Sequence, residues 1–335
     1  MNPLLLTVAL LLGSAVVIYF ACEFFVNGVE WVGRRLSVGS TATGTILAAF
    51  GTALPESVVT FVAVAFGGSH AQKDIGVGAA LGGPLVLATI AYAVVGVVLL
   101  AGRQPLKATA DVQRQFRRLS RDQGWFLGIF AAKIGLGLVT FAFKPWLGIA
   151  FLAAYALYFW QEMRHDEGDV EEPDLEPLKI APRRPEPSTA LALLQTGIAL
   201  VVIFAASRVF VSQLDVLGPA LGLKPQLLAL LLSPIATELP ETMNAIIWVR
   251  QGKHRLALAN ISGAMMIQAT VPTAFGLFFT PWLLDRSLLL AAAVTTVAVG
   301  VMFVAFRRGV ISRRLLAAMG LLYLLFAGLL VALHL

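Results

Sequence analysis

Charge is scarce in this 335-residue chain: Asp, Glu, Lys and Arg together make up 13% of it, and hydrophobic residues make up 58%. A soluble protein of this length has about a quarter charged residues and lacks repeated apolar runs of roughly 20 residues. The composition therefore excludes a soluble globular protein and predicts an all-α integral membrane protein.

Cysteine and recognisable catalytic motifs are also scarce. The single cysteine, Cys22, excludes an intrachain disulfide. His70, His165 and His254 lack metal-ligand spacing, and no Ser/His/Asp, Cys/His or phosphate-binding motif is present. We therefore expect neither an enzyme nor a bound cofactor. The first apolar segment has no preceding basic stretch and no A-x-A cleavage site, so we expect a retained membrane helix.

Apolar runs separated by polar residues, proline or glycine predict ten membrane spans. They lie near residues 4–31, 41–66, 75–101, 124–141, 145–163, 189–213, 225–249, 256–279, 281–305 and 314–334. The second and seventh spans each contain a Pro-Glu pair in the middle of the run. We expect helices 2 and 7 to be discontinuous, each as two half-helices joined by unwound backbone.

Basic residues predict the orientation. Of the 25 Lys and Arg residues, nineteen fall in the connections that follow odd-numbered spans, and four fall on the opposite face. By the positive-inside rule the first face is cytoplasmic and both termini lie outside. The net charge of +6 thus reflects topology, and we expect the lipid bilayer of a plasma membrane, and no nucleic acid, as a partner.

Two connections are long. In residues 107–123, Val112, Phe116 and Leu119 are spaced i, i+4 and i+7 among arginines, which fits a short amphipathic helix on the inner membrane surface or a basic loop that only fixes topology. Residues 164–187 are rich in Asp, Glu and Pro, which predicts a disordered acidic cytoplasmic linker. Cation sensing is an alternative role for the linker, but it has no D-x-[DN]-x-[DN]-G calcium loop.

An internal repeat divides the chain. An offset of 185 residues superimposes Thr52-Ala-Leu-Pro-Glu56 on Thr237-Glu-Leu-Pro-Glu241. Each half, 1–163 and 188–335, contains five spans, and because this number is odd the second half enters the membrane inverted. A pseudo-twofold axis in the membrane plane then brings Glu56 and Glu241 toward each other near the midplane. This arrangement predicts transport by alternating access.

Two facing carboxylates in a poorly solvated site repel each other unless a proton or a cation lies between them. Hard cations prefer carboxylate, hydroxyl and carbonyl oxygens. Thr52 and Thr237 add hydroxyls four residues before each acid, and the two prolines free backbone carbonyls beside the acids. The alternative is that each glutamate is a buried structural acid paired with a neighbour. The duplication of the motif favours the cation site.

The residues that carry these features resemble a known family. The run Glu23-Phe-Phe-Val-Asn-Gly28 through Gly51-Thr-Ala-Leu-Pro-Glu56, with its echo ending in Leu239-Pro240-Glu241, is similar to the alpha-1 and alpha-2 repeats of the sodium/calcium exchanger family, within the cation/calcium antiporters. The resemblance implies ten helices in two inverted halves, and two motif glutamates that bind calcium and sodium alternately. We therefore expect a secondary-active antiporter that exchanges calcium for sodium.

Downstream of each acid the sequence departs from the family pattern Gly-Asn-x-x-Gly-Ser-Asn-x-x-Asn/Asp. The second half keeps Asn260 and has Gln268 at the final position, whereas the first half has Leu87 at its final position. The pattern's two serines are replaced by Gly83 and Ala264. These losses imply fewer sodium sites than the family usually has.

Glu238 replaces the serine that precedes the second Leu-Pro-Glu, and it lies three residues before Glu241, so it adds a third carboxylate on nearly the same helical face. The metal ligands implied are Glu56, Glu241, Thr52, Thr237, Glu238, Asn260 and Gln268. A cation/proton exchanger that uses the same glutamates is the second interpretation, and a non-transporting membrane sensor or scaffold is the third.

Three further polar residues fall inside apolar spans. Glu23 and Arg208 occupy equivalent places in the two repeats, and we expect them to form an ion pair or to screen each other's charge. Lys133 is expected to snorkel to an interface or to pair with an acid.

Overall fold

The computed structural model describes residues 3–35, 48–102, 110–164 and 175–334. These residues form twelve α-helices and contain no β-strand. The helices are α1 (Pro3–Arg35), α2 (Ala48–Phe66), α3 (His70–Val86), α4 (Tyr92–Ala101), α5 (Ala110–Gly137), α6 (Leu147–Arg164), α7 (Thr189–Ala220), α8 (Pro225–Thr237), α9 (Leu239–Arg250), α10 (His254–Phe279), α11 (Arg286–Arg308) and α12 (Arg313–Ala332).

The twelve helices correspond to the ten predicted spans. A π-helical segment, Leu87–Ala91, joins α3 to α4 as the third span, and α8 with α9 forms the seventh. Six continuous helical stretches in the described ranges are long and apolar enough to cross a membrane: Leu4–Arg35, His70–Ala101 (α3, the π-helical segment and α4), Thr189–Ala220, His254–Phe279, Arg286–Arg308 and Arg313–Ala332. The shorter apolar helices Ala53–Phe66 and Pro225–Pro234 accompany them. The prediction of an all-α membrane protein is confirmed.

The seventh span is interrupted where the sequence predicts it. Glu238 lies between α8 and α9 with φ −96° and ψ −1°, and Pro240 follows within the first two positions of α9. Proline lacks a backbone donor and clashes with the preceding turn, so a helix restarts more easily than it continues at this point.

In the second span, α2 runs as one helix through Gly51–Glu56 with Pro55 inside it, so the expected interruption does not fall at the motif itself. Proline is tolerated inside a membrane helix where neighbouring helices hold the turn, and α2 packs against both α3 and α10. The part of the span before Ala48 lies outside the described residues.

Helix packing follows the two repeats. α1 packs along α7, which is its counterpart in the second repeat. α2 packs on α10, and their counterparts in the opposite repeats, α8 and α3, also pack on each other. In the same way, α4 packs on α12, and their counterparts in the opposite repeats, α10 and α6, pack on each other. Every one of these contacts has its counterpart when the halves are swapped, which is the packing expected of two inverted five-span repeats.

From Ala110 onward, the basic segment 107–123 is neither a separate surface helix nor a loop. It forms the first part of α5, which continues to Gly137. Phe116 and Leu119 are buried in the protein core, and Phe116 packs 5.8 Å from Phe306, centroid to centroid. Phe116 and Leu119 therefore face protein and not lipid, and Phe116 packs on α11, which lies beside α5. The side chain of Val112 is outside the described part of the chain.

Part of the acidic linker is ordered, contrary to the prediction of disorder. Residues 175–187 lie against α1 and α7, while 165–174 fall outside the described residues. Asn27 Nδ2 donates to Glu176 O at 3.2 Å, Asn27 Oδ1 accepts from Lys179 N at 3.0 Å, and Leu178 is fully buried. Composition predicted disorder because it does not reveal a polar side chain on another helix that satisfies the backbone of this segment.

Substitution of Asn27 by leucine is therefore expected to release residues 175–187 from α1. The amide of Asn27 also accepts from Gln195 Nε2 at 2.9 Å, so the change leaves several buried polar groups without a partner. Hydrogen exchange at residues 178–181 should accelerate by about tenfold or more. Gln213→Leu, which removes an amide on α7 far from this segment, is the control. Unchanged exchange in Asn27→Leu would contradict the assignment.

The ion pair expected between Glu23 and Arg208 is not formed within the described ranges. Glu23 Oε2 lies 3.4 Å from Lys179 Nζ, and the Arg208 guanidinium lies over the Phe66 ring, 5.7 Å from its centroid. The positive charge beside Glu23 is therefore Lys179, in the ordered part of the linker. A disordered linker, as predicted from the sequence, would not have supplied a fixed partner.

Candidate functional site

The motif residues of both repeats meet at the break between α8 and α9. Glu56 from α2, Thr237 at the end of α8 and Glu238 at the break are each no more than 1% exposed. Thr237 Oγ1 lies 2.6 Å from Glu56 Oε2 and 3.2 Å from Glu238 Oε1. One hydroxyl has a single proton and donates to one acceptor at a time. It therefore links the two carboxylates but leaves at least one of them in need of a further positive partner.

Gln268 holds Glu238 from the opposite side. Its Nε2 donates to both carboxylate oxygens, at 2.8 and 2.9 Å, from a fully buried position in α10. Gly83 makes room for this amide, since a Cβ at residue 83 would lie 2.7 Å from Gln268 Oε1 and 3.1 Å from Glu238 Oε1. The serine position that became Gly83 is thus filled by a side chain from the other repeat.

Three oxygens around this group are buried without a hydrogen-bond partner in the described part of the chain: Glu56 Oε1, Gln268 Oε1 and Ser233 Oγ. A buried polar atom left without a partner costs about 1–3 kcal/mol, and more when it is charged. Carboxylate, amide and hydroxyl oxygens are the ligands that hard cations prefer. The chemistry of the cluster therefore suits a cation.

Glu241 is fully buried in the first turn of α9. The described residues contain no group of three His, Cys, Asp or Glu side chains placed to hold one metal ion. The three-acid arrangement expected from the sequence is therefore not a single compact group, because the break at Glu238 separates the two acids that a continuous helix would stack. Glu241 stays a predicted ligand.

Two predicted ligands, Asn260 and Thr52, are not part of this cluster as described. Asn260 is 4% exposed on α10, and its Oδ1 and Nδ2 have no hydrogen-bond partner among the residues described. It is eight residues from Gln268, about 12 Å along the helix axis. Thr52 belongs to α2, and its side chain is outside the described part. The structure thus brings together Glu56, Thr237, Glu238 and Gln268.

Lys133, which was expected from the sequence to snorkel to an interface or to pair with an acid, completes the surroundings of the cluster. The residue is fully buried on α5, and its Nζ donates to Ala80 O at 2.7 Å and to Gln268 O at 3.5 Å. A lysine inside an apolar run was the available signal, but sequence could not tell whether its amine reaches an interface or the site.

The family model described as "Sodium/calcium exchanger protein" matches residues 6–161 and 191–333 of this chain. Inner membrane protein YrbG of Escherichia coli (strain K12) is 24% identical over 282 residues, which cover 84% of this chain and 82% of that protein. The putative antiporter CaxA of Alkalimonas amylolytica is 26% identical over 292 residues, covering 85% and 84% respectively.

Solved structures share the fold. The crystal structure of the H+/Ca2+ exchanger CAX superimposes with a TM-score of 0.67 at 15% identity, covering 97% of this chain and 88% of that one. The sodium-calcium exchanger NCX_Mj, soaked with 100 mM Na+ and 10 mM Sr2+, superimposes with a TM-score of 0.61 at 18% identity, covering 97% and 98%. At these identities the comparison establishes the fold alone.

Proposed function

Because the chain belongs to the sodium/calcium exchanger protein family, we propose that it is a secondary-active cation antiporter that exchanges calcium for sodium by alternating access. The observation that carries the proposal is the contact between the two repeats. Buried Glu56 of the first repeat and buried Glu238 of the second are linked through the Thr237 hydroxyl. Two desolvated acids so close together repel each other unless a cation or a proton lies between them, which supports an ion-binding site.

The position of the cluster supports alternating access. Its ligands come from α2 on one side and from α8, α10 and the break at Glu238 on the other. A displacement of one repeat against the other therefore changes the distances between ligands without unfolding either repeat. The break between α8 and α9 at Glu238 is a point where the two half-helices can change their relative angle beside the proposed ligands.

Exchange of the cation for protons is the second candidate, and a specific observation favours it. The Thr237 hydroxyl lies 2.6 Å from Glu56 Oε2 and 3.2 Å from Glu238 Oε1, so two buried carboxyl groups share one small site. When the metal cation leaves, a proton on either acid relieves the same repulsion. The replacement of two family serines by Gly83 and Ala264 supports this reading, because it removes sodium ligands.

Calcium flux into proteoliposomes under an imposed sodium or pH gradient tests the proposal. Sodium-driven uptake is expected for the wild-type protein, and Glu56→Gln and Glu241→Gln are each expected to reduce it by about 100-fold, because each removes a buried charged ligand. Glu186→Gln, at a side chain 75% exposed, is the control and should transport normally.

Other outcomes of the flux measurement separate the alternatives. Flux driven by pH and unaffected by sodium would replace sodium by the proton as the coupling ion. Absence of flux for every cation tested in the wild-type protein would overturn the transport proposal and favour a membrane sensor or scaffold.

The chain is a multi-pass membrane protein, and we propose a plasma-membrane location with both termini outside. The support is the concentration of Lys and Arg in the connections after odd-numbered spans. Among these are Arg34 and Arg35 in the last turn of α1 and Arg307 and Arg308 in the last turn of α11.

A further inference from the structure

The buried amine of Lys133 is the charged group at the cation cluster that neither the repeat motif nor the family pattern explains. α5 carries it to the point where the two repeats meet, and its exposed fraction is 0%. Its Nζ donates to Ala80 O at 2.7 Å. Ala80 lies three residues before Gly83, whose missing side chain admits Gln268 to the cluster.

The surroundings of Lys133 suit a charged amine. Nζ lies over the rings of Phe130 and Trp282, 5.5 and 5.7 Å from their centroids. Aromatic faces and backbone carbonyls both stabilise an ammonium group electrostatically. Trp282 Nε1 donates to Lys133 O at 3.1 Å, which fixes the indole beside the lysine. The amine is thus held in place and cannot snorkel to an interface.

The second contact of Nζ, to Gln268 O at 3.5 Å, connects the amine to the cluster itself. The side chain of the same glutamine holds Glu238 with two hydrogen bonds. A basic side chain held in place therefore borders the space where the two carboxylates would hold a transported ion.

We propose that Lys133 is a tethered cation that determines the selectivity of the site between monovalent and divalent ions. The inference rests on the proposed function, in which Glu56 and Glu238 bind the transported cation. Coulomb energy is proportional to the product of the charges, so Lys133 repels a divalent ion twice as strongly as a monovalent ion in the same place. The lysine shifts the site toward sodium or protons and weakens calcium binding.

This argument gives a quantitative signature. Loss of the positive charge strengthens binding of both ions, and the gain in binding free energy is twice as large for the divalent ion. Because affinity depends exponentially on free energy, a factor of about 3 for sodium predicts a factor of about 10 for calcium, which is the square of the first. A purely structural role changes the two affinities without this relation.

The test is binding of Na+ and of Ca2+ to the purified full-length protein, by isothermal titration calorimetry, in wild type, Lys133→Met and Lys133→Gln. Both variants remove the charge, and Lys133→Gln keeps a hydrogen-bond donor for the carbonyl of Ala80. Both are expected to show the squared relation. The proposal would be overturned if Lys133→Gln kept the wild-type ratio of calcium to sodium affinity. It would also be overturned if the affinities for the two ions rose by the same factor.

Lys144→Met is the matched control. Lys144 is also buried, and its Nζ donates to the carbonyls of Val139, Pro281 and Trp282 at 2.6, 2.7 and 3.0 Å. It therefore touches the backbone of the same tryptophan as Lys133, but it lies in the 3₁₀ turn Lys144–Trp146 before α6 and not at the cluster. This variant is expected to lower the melting temperature and to leave the ratio of calcium to sodium affinity unchanged.

Two outcomes separate this inference from the proposed function. A wild-type protein that binds neither ion contradicts cation transport, whereas wild-type binding with an unaltered ratio in both Lys133 variants contradicts only the role of the lysine. Failure of both Lys133 variants to fold, judged by thermal unfolding and size-exclusion chromatography, would identify Lys133 as a structural anchor and would also overturn the inference.

Discussion

Replacement of Glu238 by alanine is expected to reduce cation exchange by about 100-fold. The carboxylate accepts two hydrogen bonds from Gln268, and each hydrogen bond to a charged group contributes about 1.5–3 kcal/mol. Its loss removes a candidate ligand and also frees the Gln268 amide, so the effect on transport exceeds that of one ligand. Calcium flux into proteoliposomes measures the change.

Glu23→Ala is the control for Glu238→Ala. Glu23 is also an acid in a predicted membrane span, but its partner is Lys179 of the ordered linker segment. Transport is expected to stay within about twofold of wild type in this control, because partly exposed ion pairs contribute little. Normal exchange by Glu238→Ala would show that Glu238 is a structural acid and that the cation is held elsewhere.

A single added methyl group at Gly78 is expected to destabilise the protein more than any other conservative change considered. A Cβ at residue 78 would lie 2.2 Å from Gln226 O, a backbone atom of α8 that has no rotamer by which to move away. Small residues allow such close approach of membrane helices. Overpacking costs about 3 kcal/mol here, which lowers the melting temperature by roughly 5 °C or more.

Gly128→Ala provides the control for Gly78→Ala. Gly128 also lies inside a long helix, α5, but a Cβ there meets no atom within 4 Å. Alanine has the higher helix propensity, by about 1 kcal/mol, so this control is expected to be as stable as wild type or slightly more stable. Equal melting temperatures for the two variants would contradict the close packing of α3 on α8.

Several features of the fold followed from the sequence because they depend on short-range properties. Apolar runs of sufficient length located the spans, and α1, α7, α10, α11 and α12 lie where those runs predict them. The match between Thr52–Glu56 and Thr237–Glu241 predicted the second repeat, and Pro240 predicted the interruption at Glu238. Hydrophobic length and proline act locally, so one sequence suffices to detect them.

Partners of polar side chains were not predictable in the same way. The sequence placed Glu23 opposite Arg208, but the pair that forms is Glu23 with Lys179, because residues 175–187 are ordered on α1. The π-helical segment at Leu87–Ala91 had no recognisable signal either. Each of these depends on contacts between residues distant in the chain, which a local pattern does not contain.

The amino-acid sequence by itself determined a membrane protein of two inverted repeats with acids at equivalent positions. Tertiary structure decided which acid faces which: Glu56 is linked to Glu238 through Thr237, Gln268 takes the space left by Gly83, and Lys133 is held beside them. The physical reason is that desolvated charges are stabilised only by groups within a few ångströms. Those distances are set by helix packing between the repeats.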